Sequence, residues 1–280
     1  MIRRLRQLVC GAVPLALCVV VAGLTAGAAA QDPPINADDL DAWTTRSKYF
    51  FDATRKPELR YEFQGTEPVD LEVDLVRRDS GTLLFTWPQP AREPSTVHSL
   101  VWDGFKQDGT AGPNGRYRFV VRLPGAEDRL GRSGFRFYRH IFPVRGKHWS
   151  RGAIGEFGAP RTGGRRHIGY DINAACGTPL VAARGGRVQK RGYRPSLDGH
   201  YVVIDGRQTN TDYWYAHLKS ASWAKVGQRV ATGMQIGRVG NTGNARTTGC
   251  HLHFELWSGG YPQGHPINPA PSVRRWDGWS

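Results

Sequence analysis

The sequence predicts an all-β protein in which a small antiparallel β-sandwich precedes a glycine-rich antiparallel β-sheet domain. The first observation is the segment VDLEVDLV, residues 69–76, where apolar residues alternate with Asp70, Glu72 and Asp74. This period of two is typical of a strand that buries one face. The second is the region after Val144, where short β-type runs are interrupted by glycine and no convincing helix is found.

The other elements of the first half follow from similar patterns. A turn signal at residues 79–81 and the run TLLFTW predict a hairpin partner for the first clear strand. Further runs, VHSLVW, RYRFVVRL and FRFYRHIFPV, are separated by clusters of Gly, Pro, Asn or Asp. Several short strands at this spacing indicate a sandwich over about residues 60–144.

One stretch of this half, WDGFKQDGTAGPNGRYRFVV at residues 102–121, resembles the end of the Ig-like domains that close flagellar hook-cap proteins and many surface proteins. The resemblance implies an Ig-like sandwich and no chemistry of its own. Residues 31–59 carry conflicting signals and are interpreted as a linker leading into the first strand. The second domain is then expected to cover residues 145–280.

The first 30 residues have the pattern of a secretory signal peptide. Three arginines among the first six residues precede an almost wholly apolar stretch at 8–24, and AGAAAQ supplies small residues up to Ala30. This order predicts cleavage after Ala30 and no membrane span in the mature chain. A retained membrane anchor is the alternative, because the apolar run is of borderline length. A lipid-modified Cys18 is a lesser one.

Two cysteines, Cys176 and Cys250, remain after such a cleavage. In an exported protein two cysteines favour one disulfide, and two free buried thiols are the alternative.

The chain is strongly basic. Its formal net charge of +14 falls to +11 when the three arginines of the predicted signal peptide are removed. Such a charge favours acidic partners, yet no basic helix, zinc-finger spacing or RNP-like strand indicates nucleic acid. An anionic cell-surface polymer is the better match for an exported protein. Arginine richness that merely reflects base composition and solvated faces is an equal alternative.

Side chains that could bind a metal occur in three segments of the second half. GCHLHFELW places His251 and His253 two residues apart, so both rings share one face if the segment is a strand. In RRHIGYDI, His167 and Asp171 are four residues apart, too far along a straight strand to share one ion. The chain must therefore bend between them, and Gly169 permits a bend.

The third segment is DYWYAHL, where His217 ends an aromatic run. Each segment alone is more typical of ordinary sheet or turn residues. Together, the four histidines and one aspartate suffice for a catalytic zinc with two histidine ligands and one carboxylate ligand. Such a site leaves one coordination position for water and two rings for acid and base work.

The order HIGYD, then YAHL, then GQRVATGMQIGRVGNTGNARTTGCHLHFEL resembles the LytM or lysostaphin-type zinc peptidases, the M23 metallopeptidase family. The resemblance runs from about Phe157 to Pro269. It implies an exported, zinc-dependent endopeptidase that hydrolyses the peptide cross-links or stem peptides of bacterial peptidoglycan. The protein is accordingly expected to be secreted or associated with the cell wall.

Carried over residue by residue, the first motif of the family makes His167 and Asp171 zinc ligands. The HxH motif makes His253 the third ligand and leaves His251 beside the ion. The YAHL motif makes His217 the catalytic partner of His251. Which of these two rings acts as base and which as acid is left open.

The chain departs from the family's usual STGPHLHFE at one notable position, where Cys250 replaces proline. Because Cys250 is adjacent to His251 on the expected strand, its side chain faces the other way. A fourth metal ligand is therefore not expected, and a disulfide to Cys176 is predicted. Such a bridge would tie the HxH strand to the loop after Asp171.

A non-catalytic cell-wall-binding or hydrolase-activating protein of the same fold is the alternative function. Family members of that kind typically lack ligands, whereas this chain lacks none. A secreted peptidase acting on glycine-rich proteins shares the chemistry and differs only in substrate. The peptide bond cut, the role of the Ig-like half, any latency and the oligomeric state are left open by the sequence.

Overall fold

The computed structural model describes residues 34–280, so the predicted signal peptide and its cleavage site lie outside the described residues. Within 34–280, strands dominate and the all-β prediction is confirmed. No helix in this range is both long enough and apolar enough to cross a membrane. Residues Pro34–Ser280 form one compact unit.

The N-terminal β-rich region consists of two sheets. Its strands are β1 (Leu40–Thr44), β2 (Lys48–Phe50), β3 (Glu58–Phe63), β4 (Val69–Arg77), β5 (Thr82–Arg92), β6 (His98–Val101), β7 (Gly115–Arg122) and β8 (Arg129–Tyr138). A three-stranded sheet has the order β1–β3–β6, and a five-stranded sheet has the order β2–β8–β7–β4–β5. Only β2 and β8 pair in parallel within these two sheets.

Both sheets contribute to one hydrophobic core. The apolar residues of the VDLEVDLV alternation on β4 are buried there, together with Tyr61 of the three-stranded sheet and Phe119 of β7. The segment 31–59 differs from the predicted linker, because it contains β1 and β2. Leu40 and Tyr49 explain the difference, since their side chains are buried in the same core.

The C-terminal region is built on one large antiparallel sheet. Its elements are β9 (His148–Ser150), β10 (Tyr170–Ala174), β11 (Pro179–Val181), β12 (Gly186–Arg194), β13 (Gly199–Gly206), β14 (Thr211–Leu218), β15 (Arg229–Val230), β16 (Gln235–Arg238), β17 (His251–Ser258), β18 (His265–Ile267) and α1 (Ala270–Asp277). The sheet order is β15–β12–β13–β14–β17–β10–β9, with β18 paired to β17. β11 and β16 form a separate two-stranded sheet.

The two faces of β17 have different environments. Leu252, Phe254 and Leu256 are buried in the hydrophobic core of this region. Because side chains alternate along a strand, His251 and His253 point to the opposite face of the sheet.

The helix α1 is a feature that the sequence analysis did not predict. It has eight residues, and it packs on the core through Ala270, Val273 and Trp276. So short a helix shows barely two turns of periodicity, which is too little for a pattern-based assignment.

The two β-rich regions meet around Arg184, whose side chain is fully buried. Its guanidinium donates hydrogen bonds to the carbonyl oxygens of Arg207 and Arg139 and lies 4.1 Å from the centre of the Phe51 ring. The charge is thus compensated by carbonyl dipoles and an aromatic face, which a buried guanidinium requires.

Candidate metal centre

Asp171 and His253 face each other directly across the β10–β17 pair. His253 Nδ1 lies 3.0 Å from Asp171 Oδ1. His167, which precedes β10, places Nε2 3.0 Å from the same carboxylate oxygen and 2.9 Å from His253 Nδ1. Three potential ligand atoms therefore form a nearly equilateral triangle, and all three side chains are buried.

Gly169 makes this close approach possible. A Cβ atom at this position would lie 2.6 Å from His253 Cε1 and 2.7 Å from the Phe254 carbonyl oxygen. The φ angle of Gly169 is not positive, so the backbone does not need glycine for its conformation. Space for the His253 ring is the reason for a glycine between His167 and Asp171.

The triangle fits a zinc ion. With metal–ligand bonds of about 2.1 Å and tetrahedral angles, neighbouring ligand atoms lie about 3.4 Å apart, close to the spacing seen here. Two imidazoles and one carboxylate are a donor set typical of catalytic zinc, and they leave a fourth position open.

The surroundings of His253 also favour a cation. Burial opposes a charged imidazole, but hydrogen bonds with Asp171 and Glu255 outweigh it and raise the pKa of His253 to about 10. Burial alone would raise the pKa of the Asp171 carboxyl group, but hydrogen bonds and charge interactions with His167 and His253 outweigh burial and lower it. Positive charge is therefore stabilised where the three ligand atoms converge.

Hydrogen bonds to the outer nitrogens orient both histidine ligands. His167 donates from Nδ1 to the carbonyl oxygen of Glu156 over 2.9 Å. His253 donates from Nε2 to Glu255 Oε1 over 2.7 Å. Trp257 in turn donates from its indole nitrogen to the other oxygen of Glu255 over 2.5 Å. Each imidazole thus directs its remaining nitrogen to the triangle, as outer partners do in metal sites.

His217 reaches the site through an unusual backbone conformation. His217 occupies an alternate position of β14 with Tyr213 and Tyr215, whose side chains are buried in the core. Regular alternation would therefore direct its side chain to the same face of the sheet. Its φ of +59° breaks the alternation, and its ring centre lies 4.9 Å from that of His251. A left-handed conformation in a non-glycine residue costs about 1–3 kcal/mol and is concentrated at functional sites.

The two additional histidines have different hydrogen-bond partners. His217 donates from Nδ1 to the Thr242 carbonyl oxygen over 2.8 Å, and burial, together with His253 and His251, lowers its pKa to about 3. His251 Nδ1 lies 2.9 Å from the Gly249 carbonyl oxygen and 2.6 Å from Arg151 Nη1. Burial lowers the pKa of His251 as well. Both rings are therefore neutral at neutral pH.

The structure brings all five predicted polar residues into one cleft of about 1000 Å³. His251 lies beside the triangle, as expected, with Nε2 4.0 Å from Asp171 Oδ2. The predicted disulfide between Cys176 and Cys250 is confirmed, and it ties the loop after β10 to the start of β17.

Several residues around the site were not identified from the sequence. Glu255 could have been found, because it is two residues beyond His253 on the same strand face. Arg151 lies outside the motifs and Thr242 lies within the closing block, but neither carries a local signal for its role; they reach the site through tertiary contacts with His251 and His217.

Comparison with known proteins identifies relatives of this region. Residues 165–269, which contain all five polar residues, match the profile of Peptidase family M23. Peptidoglycan DD-endopeptidase ShyC of Vibrio cholerae is 43% identical over 93 residues, which are 33% of this chain and 20% of that protein. The L-Ala--D-Glu endopeptidase of Bacillus subtilis is 29% identical over 184 residues, which are 63% of this chain and 53% of that protein.

The chain thus spans about a fifth of the length of one of these relatives and about half of the other. Among solved structures, the catalytic domain of the antimicrobial peptidase lysostaphin from Staphylococcus simulans matches with 28% identity and a TM-score of 0.40. That match covers 46% of this chain and 92% of the lysostaphin domain.

Proposed function

Because the C-terminal half of this chain contains an M23 peptidase domain, we propose that the protein is a zinc-dependent endopeptidase that hydrolyses peptide cross-links or stem peptides of bacterial peptidoglycan. The observation that carries the proposal is the buried triangle of His167, Asp171 and His253 with two neutral histidines beside it. The name of the ShyC relative refers to peptidoglycan and supports this substrate class, and the name of the Bacillus subtilis relative refers to cleavage of an L-Ala–D-Glu bond.

His167, Asp171 and His253 would hold the ion. Zinc with an open coordination position supplies Lewis-acid chemistry, which polarises a carbonyl and activates a water. His217 is suited to accept a proton, because its Nδ1 hydrogen is committed to Thr242 and the lone pair of Nε2 is free. Its low pKa keeps it neutral for that role.

His251 is suited to the complementary role. When Arg151 donates to Nδ1, the ring hydrogen resides on Nε2, which then donates to a developing oxyanion or to the leaving amine. When Nδ1 instead donates to Gly249, Nε2 is a second proton acceptor. Arg151 therefore selects the donor form of His251 in this proposal.

We further propose that the protein acts outside the cytoplasm, secreted or associated with the cell wall. Two features support this location. The first 30 residues follow the pattern of a cleavable signal peptide. The bond between Cys176 and Cys250 is of a kind that persists in oxidising compartments.

Residues 60–144 are proposed to form an Ig-like module and residues 145–280 the peptidase domain. The shared core of the two N-terminal sheets supports the first assignment. Strands β1 and β3 belong to the same sheet, so the module would begin before residue 60 and include part of the segment expected to be a linker.

Incubation of the zinc-loaded protein with isolated peptidoglycan tests the proposed activity. New amino groups should appear, and their release should stop with a zinc chelator and with His217→Ala. His265→Ala, which changes an exposed histidine on β18, is the matched control and should retain activity. Mass analysis of digested muropeptides would identify the bond, which the names of the two relatives place at different positions.

Two results would contradict this proposal. Amino-group release that persists in His217→Ala would remove His217 from catalysis. A protein that binds one zinc ion but releases no amino groups from any wall preparation would instead support the non-catalytic binding or activating function.

A further inference from the structure

The cleft above the metal centre has an excess of positive side chains. Five arginines and three carboxylates line it: Arg151, Arg161, Arg165, Arg166, Arg194, Asp171, Asp198 and Glu255. All three carboxylates already have close partners. Asp171 belongs to the metal triangle, Glu255 accepts from His253 and Trp257, and Asp198 is paired with Arg194.

Arg151 and Arg161 lie closest to the metal ligands among these arginines. Arg161 Nη2 is 3.5 Å and Arg151 Nε is 4.0 Å from Asp171 Oδ2. Both distances exceed those of good charge-assisted hydrogen bonds, which are about 2.7–2.9 Å. Asp171 directs its other oxygen to the two histidines. The two guanidinium groups therefore share one distant oxygen of a carboxylate that already belongs to the metal triangle.

These two side chains are also partly buried. The side chain of Arg161 is 30% exposed and that of Arg151 is 16% exposed. A cation bound at Asp171 would weaken the attraction of this carboxylate for the two guanidinium groups. Cations so placed are stabilised by an anion that enters the cleft.

We propose that Arg151 and Arg161 bind a carboxylate of the substrate peptide beside the scissile bond. A guanidinium offers parallel N–H donors that match the two oxygens of a carboxylate. Both groups lie within 4.0 Å of a metal ligand, and one residue spans at most about 3.6 Å. The carboxylate therefore belongs to a residue at the scissile bond. This inference rests on the proposed peptidase function. It narrows the substrates of the enzyme to peptides that carry a free carboxylate on a residue at the scissile bond.

Arg161 is the residue to substitute. Its hydrogen bonds among the described residues are to the backbone of Pro160 and Arg165, and neither catalytic histidine is among its partners. Arg151, by contrast, contacts His251 directly, so its removal would change catalysis as well as binding. Arg246 is an exposed arginine outside the residues that line the cleft, and Arg246→Gln is a charge-matched control.

Binding to amidated peptides tests the proposal without relying on turnover. Wall stem peptides are prepared with each free carboxylate converted in turn to the carboxamide. Their affinities are measured by calorimetry on the zinc-loaded His217→Ala protein, with and without Arg161→Gln. Amidation of one carboxylate should weaken binding at least about tenfold, since hydrogen bonds to charged groups have this strength. Arg161→Gln should lose most of the difference between the acid and amide forms, because only Arg151 then remains, while Arg246→Gln should retain the full difference.

The proposal is overturned if no single amidation weakens binding, or if Arg161→Gln discriminates between acid and amide as strongly as the parent. Zinc content and unfolding temperature establish that the variant is folded. If Arg161→Gln is not folded, Arg161→Lys takes its place and should retain the charge while losing most of the discrimination. Failure of the parent protein to cut any of these peptides would overturn the proposed peptidase activity instead. The two failures are distinguishable, because the binding of acid and amide peptides is measured on the inactive His217→Ala protein and does not depend on cleavage.

Discussion

Glu255 holds the imidazole of His253 by accepting a hydrogen bond of 2.7 Å from Nε2, while its second oxygen accepts one from Trp257. The carboxylate thereby sets which nitrogen of His253 carries hydrogen. Since Nδ1 is the atom that faces His167 and Asp171, Glu255 determines whether His253 can act as a ligand.

Glu255→Gln is expected to weaken zinc binding by about 10–100-fold, the usual effect of losing an outer partner of a metal ligand. Competition with a chromophoric chelator measures this change. Glu156→Gln is the control, because it removes a carboxylate that pairs with exposed Arg274 and leaves the backbone carbonyl that holds His167. Equal zinc affinity in Glu255→Gln and the parent would contradict the role of Glu255.

Gly169→Ala should lower both metal affinity and stability. The new methyl group would lie 2.6 Å from His253 and 2.7 Å from a backbone oxygen, so the strand pair or the ring must shift, at a cost of about 1–3 kcal/mol. Zinc titration and thermal unfolding measure the two effects. Gly249→Ala, whose methyl group would meet no atom within 4 Å, should leave both quantities near the parental values. A parental zinc affinity in Gly169→Ala would refute the packing argument.

Loss of the Cys176–Cys250 disulfide should destabilise the protein. The bond joins residues 74 positions apart, and constraint of a loop of this length contributes up to about 4 kcal/mol to the free energy of unfolding. Urea unfolding of the Cys176→Ser, Cys250→Ser double variant measures the loss. A reductant should lower the midpoint of the parent and leave that of the double variant unchanged. Identical midpoints for the oxidised parent and the double variant would show that the bond adds no stability.

His140 should make the stability of the protein depend on pH. Burial, with the neighbouring Arg184 and Arg139, lowers the pKa of His140 to about 3, whereas the unfolded chain titrates near 6.5. The unfolded state therefore binds more protons as the pH falls below 6.5, and the folded state loses stability. From pH 7 to pH 5 the free energy of unfolding should fall by about 2 kcal/mol through this residue.

His140→Phe isolates this contribution, because a flat ring can still stack on Trp276, whose ring centre is 4.5 Å away. Denaturant unfolding at several pH values should show a shallower decline for the variant than for the parent. Parallel pH profiles would assign the acid sensitivity to other groups. The absolute stability of the variant is not the readout, since it also loses the contact of His140 with Tyr213.

Patterns of consecutive residues sufficed to predict part of the fold and part of the candidate metal centre. The alternation of VDLEVDLV requires a strand buried on one face, and the structure has β4 there. The spacing of His251 and His253 places both on one face of β17, while Cys250 packs on the core side and meets Cys176. These inferences depend on the period of a strand, which is a property of consecutive residues.

Other features have no counterpart in consecutive residues. Strand alternation would direct His217 into the core with Tyr215; only its left-handed backbone brings it to His251. Segment 31–59 lacked a clear signal because β1 forms by pairing with β3 and by burying Leu40 in a shared core. The intrinsic β-propensity of the residues is a weak signal for such strands, because pairing and packing with neighbouring strands determine whether they form.

The sequence by itself therefore determined the all-β class through strand periodicity, the metal-binding triad through the resemblance of its motifs to the M23 family, and the pairing of the cysteines because only two remain after the predicted signal peptide. Only the tertiary structure decided how His217 turns to the site, why Gly169 must be glycine and which side chains surround the ligands. Glu255 lies two residues from His253 on β17, so strand alternation could have identified it. Arg151 instead reaches His251 over 2.6 Å although the two residues are 100 positions apart. Such a contact arises when segments far apart in the chain are packed together, and no local pattern encodes it.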